Sequence, residues 1–180
     1  MNVLITILIA VIALVILVLI VAVFLKKDYS VVREITVTVP KQEVFDYIKF
    51  LKNQDNFSKW ALMDPAMKKS FTGTDGTVGF ISAWESADRN VGKGEQEIRK
   101  IVAGERIDFE LRFIKPFAGI ANAFMTTESL TENLTKIRWG FDSKMNYPMN
   151  LMLLFMKMDK MIGNDFESGL TKLKNILEKG

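Results

Sequence analysis

The chain of 180 residues contains neither cysteine nor histidine. Without cysteine there is no disulfide, no thiol nucleophile and no thiolate ligand for a metal. Without histidine the side chain that ordinarily titrates near neutrality is missing, and with it the usual nitrogen ligand for zinc or haem. Neither a metal site nor a cofactor is expected, and acid–base work is left to carboxylates, lysine, arginine and tyrosine. Charge of one sign is also scarce. Lysine and arginine number 24 against 21 acidic residues, a net of +3. The two signs are interspersed rather than gathered into the basic stripe that nucleic acid requires, so no nucleic-acid partner is expected. Proline occurs only four times, and each one stands at a boundary in the pattern described below.

What is abundant is uninterrupted apolar sequence at the start. From Val3 to Leu25 no residue is charged and only Thr6 is polar. Crossing a bilayer takes roughly 20 such residues in a helix. The run is longer than the core of a secretory signal, is not preceded by a basic residue, and offers no small-x-small cleavage site around Val21–Leu25. It is read as an uncleaved, single-pass transmembrane anchor over residues 1–27. Lys26 and Lys27 follow the span directly, and positive flanks favour the cytoplasmic side, so the remaining residues 28–180 are expected there.

Beyond the anchor, Val31–Val39 is β-branched and alternates, which predicts a strand that Pro40 ends. Val44, Phe45, Ile48 and Leu51 share one helical face, and Asp55–Leu62 predicts a second short helix before Asp64-Pro65. The period then falls to 2. Strands are expected at Met67–Thr72, Val78–Trp84, Gly94–Ile98, Arg106–Phe113, Phe124–Leu130 and Ile137–Phe141. The clearest alternates Ile107, Phe109, Leu111 and Phe113 with Arg106, Asp108, Glu110 and Arg112, one face wholly apolar and the other wholly charged. From Met149 to Lys179 the period returns to 3.6, with Leu151, Phe155, Met158, Ile162, Phe166, Leu173 and Ile176 on one side, which predicts one long helix after Pro148. There is no βαβ alternation, so the class is α+β. A single long helix facing so many strands requires an antiparallel sheet that curls around it.

Within this order, Val39–Tyr47, Asn56–Trp60, Trp84-Glu85 through Gly94, and Gly163–Leu173 carry a resemblance to the START-like/Bet v 1-like superfamily, whose bacterial members are called SRPBCC or polyketide cyclase/dehydrase-like proteins. The resemblance covers about Val31 to Lys179. It implies a helix-grip fold, in which a curved sheet of about seven strands wraps a long C-terminal helix around a hydrophobic cavity. The transmembrane anchor lies outside the superfamily pattern.

The inward residues of the alternating strands and one face of the long helix are the candidate cavity wall: Phe80, Trp84, Gln96, Phe109, Phe113, Trp139, Met152, Phe155 and Met156. Five of the ten methionines lie between Met149 and Met161, and methionine adapts to varied apolar surfaces. Gln96 is the polar candidate, because a buried amide needs partners. The Gly92-Lys93-Gly94 element lacks the spacing and the following helix of a phosphate loop and fits a tight bend in a strand. No catalytic residue is assigned. Three functions remain open. The first is a membrane-anchored binding module for a hydrophobic small molecule or lipid. The second is an enzyme of the polyketide cyclase or aromatase type, with Glu128 or Asp159 as its acid or base. The third is a protein-interaction module at the membrane, using the charged face of Arg106, Asp108, Glu110 and Arg112. Oligomeric state is not legible.

Overall fold

The computed structural model describes residues 2–179. Helix α1 runs from Val3 to Phe24 and is exposed along its length except at Leu19, which is half-buried, and Ala22, which is buried. Its 22 residues rise about 33 Å at 1.5 Å each, matching a hydrocarbon core of about 30 Å. It is long and apolar enough to cross a membrane. Only Leu25–Lys27 separate it from the first strand.

Seven strands follow: β1 (Asp28–Val37), β2 (Lys68–Thr72), β3 (Ile81–Glu85), β4 (Lys93–Val102), β5 (Arg106–Lys115), β6 (Gly119–Thr131) and β7 (Leu134–Lys144). They form one antiparallel sheet in the order β1-β7-β6-β5-β4-β3-β2. Hairpins make every neighbour from β2 to β7 sequential. The first strand closes on the last, which is how a curved sheet brings its ends around a helix. Between β1 and β2 lie α2 (Lys41–Ile48), a 3-10 turn at Leu51–Asn56, and α3 (Lys59–Met63). The Asp75 carboxylate accepts the amide hydrogens of Leu51 (2.8 Å) and Lys52 (3.1 Å), satisfying donors that the start of the 3-10 turn leaves without partners.

Helix α4 (Met158–Lys179) packs on β1 inside the curve. Gly169 makes the close approach possible, since a Cβ there would lie 2.8 Å from the Trp139 ring. Trp139 stacks on Phe166 with centroids 4.5 Å apart and meets Phe57 edge-on at 5.6 Å, geometries that aromatic quadrupoles favour. Arg33, on the helix-facing side of β1, fixes the helix. Its guanidinium passes over Gly163, donating to Asp159 at 2.9 Å and Glu167 at 2.6 Å.

Three sequence expectations are corrected. The long helix does not begin at Met149. Met149–Leu154 is a separate 3-10 turn and α4 starts at Met158. The Asn150 side chain, fully buried, is drawn away to the end of α1, donating to the carbonyls of Ala22 (2.6 Å) and Leu25 (3.3 Å). Asp159 then supplies the negative charge that a helix start favours. The strand foreseen from Val78 begins only at Ile81, because Gly79 has φ of 88° and turns the chain. Asp55–Leu62 is not one helix but the end of the 3-10 turn followed by α3.

Candidate functional site

The concave face of the sheet is built by partners that share a side across the ladder. One such row runs Tyr29, Ser143, Ala121, Leu111, Gln96, Ser82 and Phe71. At the β1–β7 side this face is covered by α4 and α2. At the end of the sheet marked by the β3–β4 and β5–β6 turns the space is not filled, and a cavity of about 360 Å³ opens between β3–β5, β7, α3 and α4. Its walls include Leu111, Phe113, Trp84, Trp139, Phe141 and Phe166. All three tryptophans of the chain face it. Ligand pockets span about 300–1,000 Å³ and combine apolar walls with a few polar groups. By size and chemistry this one qualifies at the small end.

The polar groups are few and placed at different depths. Gln54, on the 3-10 turn and 8% exposed, has an Nε2 donor that is buried and meets no acceptor within the protein. Its backbone carbonyl is already taken by the amides of Phe57 (3.2 Å) and Ser58 (2.8 Å), which fix the turn. A buried amide donor left unpaired costs about 1–3 kcal/mol, and this one has essentially no surface open to the cavity. Asp55 and Lys69 form an ion pair at 2.6 Å on the same wall. Tyr29 stands nearer the mouth, where burial pushes its phenol above the ordinary value and the Ser143 hydroxyl pulls it partly back. The exposed lining residues, Asn90, Lys115, Pro116 and Phe117, all lie at one end, which is therefore the mouth.

Of the candidate wall residues, Trp84, Gln96, Phe113 and Trp139 line the cavity. Phe80 and Phe109 are 1% exposed and belong to the solid core beside it. Met152, Phe155 and Met156 lie outside the cavity. They fall before α4 begins, and Phe155 is 84% exposed. Tyr29, Leu51, Gln54, Asp55 and Lys69 were not foreseen. Tyr29 precedes the strand as read from sequence, and a six-residue 3-10 turn has no periodicity that would mark its inward side.

Neither candidate carboxylate faces the cavity. Asp159 is held by Arg33, whose hydrogen bonds lower its pKa. Glu128 lies on the outer face within 3.3 Å of Lys136. On the convex side of the sheet, Arg112 is gripped by Glu95 (2.5 Å), Glu97 (2.8 Å) and Glu110. This raises the arginine pKa and lowers that of Glu97, chiefly through the hydrogen bonds between them. Arg106 likewise pairs with Asp108. The charged face is largely neutralised within itself. The glycines of Gly92-Lys93-Gly94 allow close crossings: a Cβ at Gly92 would lie 2.0 Å from the Lys115 carbonyl, and one at Gly94 2.6 Å from the Trp84 ring.

No family model matches the chain, and no curated protein matches it in sequence. Solved structures do match in three dimensions. A protein from Chromobacterium violaceum aligns over 83% of this chain and 96% of its own, with 13% identity and a TM-score of 0.57. Norcoclaurine synthase from Thalictrum flavum, solved in complex with dopamine and hydroxybenzaldehyde, aligns over 83% and 86%, with 8% identity and a TM-score of 0.59. Ara h 8.0201 aligns over 85% and 99%, with 11% identity and a TM-score of 0.56. The chain therefore has the Bet v 1-like helix-grip fold, preceded by one apolar helix.

Proposed function

We propose that this chain is a membrane-anchored binding module that holds a hydrophobic small molecule or a single-chain lipid in the cavity between sheet and helix. Residues 1–27 are the anchor and residues 28–180 the binding domain, with Lys26 and Lys27 favouring its placement on the cytoplasmic side. The observation that carries the proposal is a cavity of about 360 Å³ walled mainly by apolar and aromatic side chains, all three tryptophans among them. It favours a ligand that is mostly hydrocarbon or aromatic. Size narrows the choice further. About 360 Å³ lies at the small end of the range for ligand pockets. That admits one aliphatic chain or a fused ring system, not a whole two-chain phospholipid. The bound aromatic compounds in norcoclaurine synthase show that one protein of this fold accommodates molecules of that scale.

The test is co-purification. The full chain, extracted from membranes in mild detergent, is compared by mass spectrometry with Ser82→Phe, which places a ring in the cavity from β3. Wild type is expected to carry an apolar compound that the variant loses at least about tenfold, equal to about 1.4 kcal/mol. Equal recovery from both, or none from wild type, would overturn the proposal. An enzyme of the cyclase type finds less support, because Glu128 and Asp159 are engaged on the outside.

A further inference from the structure

The cavity mouth, the end of α1 and an exposed apolar rim all lie at one end of the domain. Strand register establishes this. Asp28, the first residue of β1, pairs with Lys144, and Ala121 pairs with the adjacent Ser143. Phe113 pairs with Gly119, and Lys115 with Lys93. The β5–β6 turn carrying Pro116 and Phe117 is therefore on the same side of the sheet as the start of β1. That start is bound tightly to the anchor. Three linking residues reach at most about 10 Å. The Met145 amide donates to the Lys27 carbonyl at 2.8 Å, extending the β1–β7 ladder into the linker. Asn150 then caps the last turn of α1, donating to Ala22 and Leu25. Little slack remains between the apolar helix and the domain.

At this end the apolar side chains are turned outward. Phe155 is 84% exposed, Phe117 75%, Ile120 61% and Leu154 59%. Lys26, Lys27, Lys115 and Lys157 stand among or beside them. The opposite end of the sheet, at the β6–β7 turn, presents Glu132 and Asn133. Aromatic and aliphatic side chains ringed by lysine are the composition that settles into the interface of an anionic bilayer.

Building on the anchor proposed above, we propose that this rim inserts into the headgroup layer and that the cavity opens directly onto the bilayer. The occupant of the apolar rim is the lipid surface itself, because α1 delivers the rim there. The headgroup region is about 5–7 Å deep on each side of the hydrocarbon, and three residues could cross it only when extended. Here the Met145 and Asn150 hydrogen bonds hold the linker and the end of α1 against the domain, so the mouth stays beside the headgroups. Ligand enters by passing from the bilayer beneath Phe117, without crossing water. The Met149–Phe155 segment, outside the cavity wall, is part of this contact surface.

The absence of native cysteine allows single labelled positions in the full chain. Phe117→Cys, Phe155→Cys and Asn133→Cys are each coupled to an environment-sensitive fluorophore and reconstituted into phosphatidylcholine–phosphatidylglycerol vesicles. Labels at positions 117 and 155 are expected to shift to the blue and to lose emission to a lipid spin-labelled near the headgroup, at an insertion of about 5–10 Å. The label at 133 is expected to do neither and to be quenched by aqueous iodide. Vesicle flotation reports the anchor separately. Floating protein whose labels at 117 and 155 stay in water would overturn the membrane-facing mouth while leaving the anchor standing. Equal lipid quenching at all three positions would also overturn it. Protein that fails to float would overturn both.

Discussion

Phe109 and Leu111 are two residues apart on β5 and point to the same face, yet they meet different fates. Phe109 is 1% exposed in the solid core, whereas Leu111 is half-buried and borders the cavity. The same division repeats along β4, where Ile98 is buried and Gln96 lines the cavity. Toward β1 and β7 the concave face is filled by α2 and α4, with Ile48, Leu170 and Leu173 essentially buried. Toward β3 and β4 it meets Ser82 and Gln96, with open space beyond. The alternation of a strand decides which residues turn inward. Whether inward means packed or lining depends on how far one 22-residue helix extends across a seven-stranded sheet.

The sharpest way to break this comparison is to truncate on either side of the line. Phe109→Ala removes a ring from a space that cannot collapse, and a loss of about 3–5 kcal/mol is expected. In a domain of this size that lowers the thermal midpoint by roughly 10 °C. Leu111→Ala enlarges a void already present, and about 1–2 kcal/mol is expected, below the usual range for a fully buried leucine. Thermal unfolding of the full chain in detergent, followed by tryptophan fluorescence, measures both. Equal losses would mean that the cavity half is packed in solution, and the distinction between the two halves would fall.

Much of this arrangement is legible from the residues. The strict alternation of Arg106–Phe113 and the apolar run of α1 each need only a local rule. The curl of the sheet follows from having one long helix to cover it. What is not legible depends on distant contacts. Asn150 abandons a helical role because the end of α1, 128 positions away in sequence, offers it two carbonyls. That exchange moves Met152, Phe155 and Met156 from the expected wall to the outer rim. Gln54 and Asp55 become cavity residues because Asp75, far along the chain, holds the turn that carries them. No periodicity within either segment reports these links.

The smallest effect expected tests how the cavity half is held together. There β4 and β5 border the cavity through Gln96, Leu111 and Phe113, and Arg112 binds Glu95, Glu97 and Glu110 across them on the outside. These four side chains are half-buried on the solvent side of the sheet, where ion pairs contribute modestly, so Arg112→Gln is expected to cost about 1 kcal/mol at neutral pH. The sign of its pH dependence is the informative part. Hydrogen bonding to Arg112 lowers the Glu97 pKa in the folded chain, so this stabilisation is present above the ordinary glutamate value, about 4.3. It is lost as pH falls through the lowered folded value. In the variant the three glutamates repel one another until they are protonated. The wild-type advantage is therefore greatest near pH 7 and vanishes on acidification below the lowered value, and added salt reduces it at neutral pH by screening. Urea midpoints for both proteins at pH 7 and pH 3 decide the matter. An advantage that persists undiminished at pH 3 would assign the role of Arg112 to the packing of its aliphatic stem against the strands rather than to its charge.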